Sequence, residues 1–355
     1  MKIAIITDQH YGARNDSTHF LDFYQKFYDE IFFPKLEEEG IDTVLILGDT
    51  FDRRKYVNFY TYKRAREMFF DRLFGKDIKV FMLAGNHDTY YKNTNSVNAL
   101  QELVAQGYPF HIYDKAPEIV EFDKLPILLI PWICDENRQE SIHKIKSANA
   151  PIAAGHLEIQ GFEMYRGSIV SHGDDRNLFD RYDMVISGHY HHRSSDGTIF
   201  YLGSHGEFTW SDYDDPRGFH VLDTQTLELT FIENPYKMFG KFWYDDATIG
   251  KEPEGYDLSH WKNQIVKVIV TNRNDPYRFD SFIKKFEKYA SPLEIQIVED
   301  HLNLALDDDK ELIDEAQSTL SIFKQHIDKI DIKNIDKVKL EDTITELYRE
   351  ALSAE

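Results

Sequence analysis

A chain of 355 residues, 42% apolar and holding 25 Phe and 21 Tyr, can build a large core and exceeds the usual size of one, so a large unit with a smaller appendage is expected. Its formal net charge of −21 excludes a simple DNA-coating protein, because that field repels polyanions unless metals, basic patches or a partner offset it. The lone Cys134 excludes an internal disulfide and thiolate metal sites, and the longest apolar stretch, Leu125 to Cys134, is broken by prolines and falls far short of the roughly 20 residues that span a bilayer.

Ile3 to Ile6 is a β-branched run ending at Asp8, and Met1 to Ile6 is too short for a signal segment, so an unprocessed cytoplasmic protein with no membrane contact is expected. Phe20, Phe23, Phe27, Ile31 and Leu36 then recur at helical spacing after a Ser17 or Thr18 cap. Val44 to Leu47 is a second strand ending at Gly48-Asp49-Thr50-Phe51-Asp52, and Tyr62, Ala65, Phe69 and Leu73 predict a second helix. Val80 to Leu83 leads into Gly85-Asn86-His87-Asp88, Ile152 to Ala154 into Gly155-His156, and Met184 to Ile186 into Gly188-His189-Tyr190-His191. Each polar cluster thus follows a predicted buried strand, where open α/β sheets gather their ligands.

Beyond about residue 180 the pattern turns to strands with short turns, Thr198 to Leu202, Phe219 to Asp223 and Leu227 to Ile232, which read as a second sheet packed on a first, parallel one. Gln264 to Thr271, Arg278 to Tyr289 and Leu293 to Val298 predict a strand, helix and strand of a small α/β appendage. Residues 300 to 355 hold 7 Lys/Arg against 15 Asp/Glu and two amphipathic stripes, Leu312 to Ile330 and Leu340 to Ala351. The expected fold is α/β: a two-sheet β-sandwich flanked by helices, residues 1–235, a small α/β capping domain, 236–300, and a helical C-terminal tail, 301–355.

Carboxylates, imidazoles and one amide without thiolates suit hard or borderline divalent ions. Two ions roughly 3.5–4 Å apart need one ligand that touches both, and Asp49, isolated after a strand and a glycine, is the candidate. Asp8 and His10, two apart in an extended segment, can hold one ion, with His191 reaching back to it; Asn86, His156 and His189 can hold the other. His87, adjacent to a ligand, is expected to face the substrate phosphate, with Asp88 orienting its imidazole, and either to donate a proton to the leaving oxygen or to stabilise the charge on the phosphate. Arg53-Arg54-Lys55 and Tyr90-Tyr91-Lys92 are candidate DNA contacts; a solvated loop and core packing are the competing readings.

These clusters, over about residues 1 to 232, resemble the calcineurin-like metallophosphoesterase superfamily. Asp8-Gln9-His10-Tyr11-Gly12 is similar to the opening motif of its double-strand-break repair nucleases of the SbcD and Mre-eleven type, whereas protein phosphatases place the glycine directly after the histidine, follow Asp52 with Arg-Gly and end the third motif in glutamate. Tyr91-Lys92-Asn93, Ile130-Pro131-Trp132 with Cys134 and Glu136-Asn137, and Asp215-Pro216-Arg217-Gly218-Phe219 resemble the T-even phage branch of that group. The resemblance implies metal ligands at Asp8, His10, Asp49, Asn86, His156, His189 and His191 and a catalytic histidine at His87. It also implies a homodimeric exonuclease and endonuclease loaded with two divalent ions, Mn2+ before Mg2+ or Fe2+, working on DNA ends with an SbcC or Rad-fifty-type ATPase. Val338 to Leu352 is the expected docking segment for that partner, packing on the chain's own small domain being the alternative. Many cellular members carry a substrate-facing histidine where this chain has Asp52. A cyclic-nucleotide phosphodiesterase and a non-catalytic DNA tether are the rival functions.

Overall fold

Strands whose residues are apolar at every position need cover on both faces, and the computed structural model gives it to them in a helix–sheet–sheet–helix sandwich. It describes residues 1–247, 249, 257–299 and 343, so the tail stripes and the docking segment, Thr343 apart, lie outside the described residues. In chain order the strands are β1 (Lys2–Ile6), β2 (Thr43–Ile46), β3 (Lys79–Leu83), β4 (His111–Tyr113), β5 (Glu118–Phe122), β6 (Leu125–Ile130), β7 (Ile152–His156), β8 (Glu163–Tyr165), β9 (Ser168–Ile169), β10 (Met184–Gly188), β11 (Ser194–Ser195), β12 (Ile199–Tyr201), β13 (Gly218–Asp223), β14 (Leu229–Glu233), β15 (Phe239–Asp245), β16 (Ile265–Asn272) and β17 (Glu294–Val298). One sheet has the order β14-β13-β1-β2-β3-β4 and the other β11-β12-β10-β7-β6-β5.

That partition corrects the expected one. β13 and β14 do not belong to a second sheet: β13 pairs antiparallel with the free edge of β1, Lys2 opposite Asp223 and Ile5 opposite His220. The second sheet is itself parallel at its centre, where β7 and β10 run side by side. Between the sheets lie Ile3, Ile5, Leu45, Leu47, Leu83, Ile127, Leu129, Ile152, Ala154, Ile186 and Leu222. Each leucine or isoleucine among them contributes about 1.5–3 kcal/mol on burial. This layer fixes the two sheets' strand ends against each other.

The helical layer on the first sheet is aromatic, with Tyr24, Phe27, Tyr28, Phe32, Phe69 and Phe70 buried. Thr18–Phe27 runs through a π-helical turn, Tyr28–Phe32, into Phe33–Glu39, and Phe59–Ala65 through Arg66–Phe70 into Asp71–Gly75. A π turn adds a residue and rotates the apolar stripe, which accounts for the five-residue step from Ile31 to Leu36. Ser17 is the first helix's N-cap but makes no side-chain bond, whereas Asn58 caps the second by accepting from Tyr60 N at 2.8 Å.

The appendage is a parallel sheet, β15-β16-β17, with the helix Pro276–Ala290 on one face and its own core of Tyr244, Val266, Val268, Phe279, Phe282 and Phe286. Its first strand was not foreseen. Phe239 of that strand packs on Trp210 of the sandwich at 4.7 Å, and Glu207 Oε2 accepts from Met238 N and Phe239 N at 2.7 and 2.9 Å.

Candidate metal centre

The loops that leave β1, β2, β3, β7 and β10 meet at one rim of the sandwich. Asp8, His10 and His191 form one donor cluster, and Asp49, His156 and His189 another. His10 Nε2 lies 3.9 Å from Asp8 Oδ1 and 3.1 Å from His191 Nε2. Asn86 Oδ1 lies 2.9 Å from His156 Nε2 and 3.0 Å from His189 Nδ1. Asp49 Oδ2 faces both clusters, 3.8 Å from His10 Nε2 and 3.2 Å from His156 Nε2. All seven sequence-predicted donors are therefore brought together.

Local backbone is strained to do this. Asp8, His10, Asp49 and His189 have φ of 51°, 46°, 50° and 84°. Each non-glycine residue held there costs of order 1–3 kcal/mol and clusters at functional sites. Glycines let the loops close: a Cβ on Gly85 would sit 2.2 Å from Asp49 Oδ1, and one on Gly188 would sit 2.0 Å from Thr7 Oγ1. In the space so gained, Asp8 Oδ2 accepts from His189 N at 3.1 Å and from Thr7 Oγ1 at 2.7 Å.

The tautomers are set from behind. His156 Nδ1 donates to the Leu47 carbonyl at 2.7 Å, leaving Nε2 to face Asp49 and Asn86. His10 Nδ1 is 3.3 Å from Asp52 Oδ1. Burial would lower the His10 pKa, but Asp52, Asp49 and Asp8 outweigh it and hold it up at about 10. Burial likewise opposes charge on His156, and Asp49 and Asp8 raise it to about 9. His189 is pushed down to about 4 by burial and by His156, and His191 falls well below the usual range through burial and His10. Burial raises the Asp49 carboxyl, yet His156 and His87 drive it well below the usual range. The pocket offers a cation carboxylate, amide and imidazole lone pairs, with His189 Nδ1 and His156 Nε2 both turned to Asn86 Oδ1. This donor set fits hard or borderline divalent cations.

His87 sits edge-on to His10, ring centroids 4.9 Å apart. Its Nδ1 meets the Asp52 carbonyl at 2.6 Å, and its backbone N donates to Asp49 Oδ1 at 2.8 Å. The expectation that Asp88 orients this ring is corrected. Asp88 is fully buried, its oxygens taken by Phe51 N at 3.0 Å and Gly85 N at 2.9 Å, so it braces the two loops instead. Burial and then Asp49 raise its carboxyl to about 7.

Arg53 is held by Asp16 and Asn15, each at 2.8 Å, and Arg54 donates to Thr89 Oγ1 at 3.3 Å. Lys55 lies over the Tyr90 ring, and Tyr90, Tyr91 and Lys92 are exposed rather than core residues. His172 pairs with Glu158 and His192 with Asp215, outside the donor clusters. Sequence reasoning missed three supports. Asp52 braces both His10 and His87; Trp132 lies 5.2 Å from His189, ring to ring; and Arg217, fully buried between Asp212 and Asp215, donates to the His191 carbonyl. Arg217 and Trp132 lay in the resemblance motifs, whereas nothing in the sequence told that Asp52 would turn inward.

A sandwich with this rim of donors defines a metallophosphoesterase, and the chain belongs to the calcineurin-like phosphoesterase family, whose sequence model matches residues 1–193. It is 35% identical to exonuclease subunit 1 of Enterobacteria phage T4 over 318 residues, 89% of each chain. It is 25% identical to the D subunit of nuclease SbcCD from Staphylococcus epidermidis, over 65% of this chain and 69% of that one. Among solved structures, an archaeal phosphodiesterase is similar over 66% of this chain and 100% of its own, at 18% identity and a TM-score of 0.34. No helix among the described residues is long and apolar enough to cross a membrane.

Proposed function

We propose that this chain is a nuclease subunit that hydrolyses DNA phosphodiesters with two divalent cations, as an exonuclease and endonuclease serving recombination and repair. The observation that carries it is the Asp49 carboxylate, whose Oδ2 faces His10 at 3.8 Å and His156 at 3.2 Å and so addresses both donor clusters. Asp8, His10 and His191 would hold one ion and Asn86, His156 and His189 the other, with Asp49 shared and Mn2+ preferred. Bound there, such a pair supplies Lewis acidity to the phosphate and lowers the pKa of a water. His87, its Nδ1 tied to the Asp52 carbonyl, keeps Nε2 for the substrate and passes a proton to the leaving oxygen.

Arg53, Arg54 and Lys55 would contact backbone phosphates, with Tyr91 and Lys92 at the DNA end. Residues 236–300 would act as a capping domain that steers DNA. A cleft of about 820 Å3 along its seam with the helix Thr18–Phe27, lined by Lys26, Lys237 and Lys262, supports this. Two relatives are named as subunits, which supports a partner; the proposed one is an SbcC or Rad-fifty-type ATPase, met by the tail 301–355 of a homodimer.

The test is hydrolysis of linear duplex and single-stranded DNA with Mn2+, beside a cyclic nucleotide. DNA cleavage is expected. Turnover of the cyclic nucleotide alone would replace the nuclease with a small-molecule phosphodiesterase, and DNA binding without any hydrolysis would leave a tether.

A further inference from the structure

A cavity of about 250 Å3 opens directly beside His156, which is one of its lining residues. Its walls are Trp132, Ile133 and Leu157, and Arg138, Glu158 and Asp174 line its polar side. We propose that this cavity is a nucleobase subsite, in which an unpaired base next to the scissile phosphate stacks on Trp132. The proposal rests on the nuclease function above and specifies what lies beside the phosphate.

Size selects the occupant. Clefts for drug-sized ligands run roughly 300–1,000 Å3, so a space of about 250 Å3 takes one flat ring system and leaves the attached phosphate outside, toward the donor clusters. Rigidity favours stacking. Trp132 N donates to the Ala84 carbonyl at 2.8 Å, and its own carbonyl accepts from Asn95 Nδ2 at 2.8 Å and Asn137 Nδ2 at 3.0 Å. The indole is further backed by His189 and His156, ring centroids 5.2 and 6.0 Å away. A half-buried aromatic fixed in this way is a platform that loses little freedom when a base covers it. The opposite side closes because Gly173, at φ 101°, approaches the Glu158 carbonyl so tightly that a Cβ would lie 2.5 Å from it.

Chemistry at the edge suits any base. Arg138, ion-paired to Asp174, presents donors, and Glu158, 3.1 Å from His172 Nε2, presents an acceptor. Base edges carry both kinds of group, so the subsite tolerates sequence while requiring that the base be unstacked from its duplex. Frayed ends and single strands satisfy that requirement.

The experiment uses an oligonucleotide with one cleavable linkage and an abasic residue at either flanking nucleotide, compared with the intact strand. For the wild-type chain with Mn2+, one abasic position is expected to raise KM about tenfold. Trp132→Ala should erase that ratio, whatever it does to overall turnover, and Trp132→Phe, which keeps a ring, should retain most of it. A wild-type chain indifferent to both abasic positions overturns the subsite even if Trp132→Ala fails to fold, as does a ratio that survives in Trp132→Ala. No cleavage of any oligonucleotide, with bis(p-nitrophenyl) phosphate still hydrolysed, would instead take down the nuclease function and this subsite with it.

Discussion

Asp52 holds two histidines at once: its Oδ1 lies 3.3 Å from His10 Nδ1, and its carbonyl oxygen lies 2.6 Å from His87 Nδ1. Carboxylates behind metal-ligating imidazoles fix orientation and raise basicity, and their loss costs about 10–100-fold in metal affinity. Asp52→Asn should therefore weaken Mn2+ binding by about that factor, read by calorimetry. An unchanged dissociation constant would mean that His10 is fixed by other contacts.

In the function proposed above His87 acts on substrate rather than on a cation. His87→Gln should lower turnover of DNA by about 10²–10⁴-fold while plasma emission still counts two ions per chain. Hydrolysis at the wild-type rate would remove His87 from the reaction.

Metal uptake should depend on pH. The folded chain holds protons on His10 up to about pH 10 and on His156 up to about pH 9. The pair of cations must displace both, one proton at each cluster, so loading near pH 7.5 should release about two protons in all, and the affinity for each ion should rise with pH by up to about tenfold per unit before flattening above these values. Titration in buffers of different ionisation enthalpy counts the protons; a count of zero contradicts the electrostatics described.

Gly85→Ala would put a Cβ 2.2 Å from Asp49 Oδ1, whereas a Cβ on Gly75 meets nothing within 4 Å. The first substitution should cost about 1–3 kcal/mol in denaturant unfolding and reduce bound metal. Gly75→Ala serves as the neutral control, and equal effects of the two would show that the Asp49 loop yields easily.

His220 on β13 is buried against Phe231, and burial depresses its pKa to about 3. A depressed histidine adds nothing to stability above about pH 6.5. As pH falls below that value the unfolded chain takes a proton that the folded chain refuses, destabilising the fold by about 1.4 kcal/mol per pH unit down to about pH 3. His220→Phe should remove that slope from stability measured between pH 6 and 4; an unaltered slope would mean His220 titrates normally.

The donors were legible because each sits at the end of a short apolar strand, and an apolar run that gives way abruptly to Asp, Gly-Asp, Gly-Asn or Gly-His is a local signal. Pairing is not local. Nothing within Gly218 to Asp223 announces that it adds to the edge of β1 more than 200 residues away, so its sheet was misread. Asp88 was misassigned for a related reason: adjacency in sequence suggested a partnership with His87, but its burial and the open N–H groups of Gly85 and Phe51 decided where its oxygens went. Asp52, invisible as a support, took the place that Asp88 had been given.

Asp8, His10, Asp49 and Asn86 hang from one sheet, while His156, His189 and His191 hang from the other. Cations gripped by both groups would rivet the two leaves of the sandwich together at their shared margin. Loading and folding would then be thermodynamically linked, so that a methyl group lost deep between the leaves, at Leu45 or Ile127, would surface as a looser grip on the ions long before the molecule comes apart.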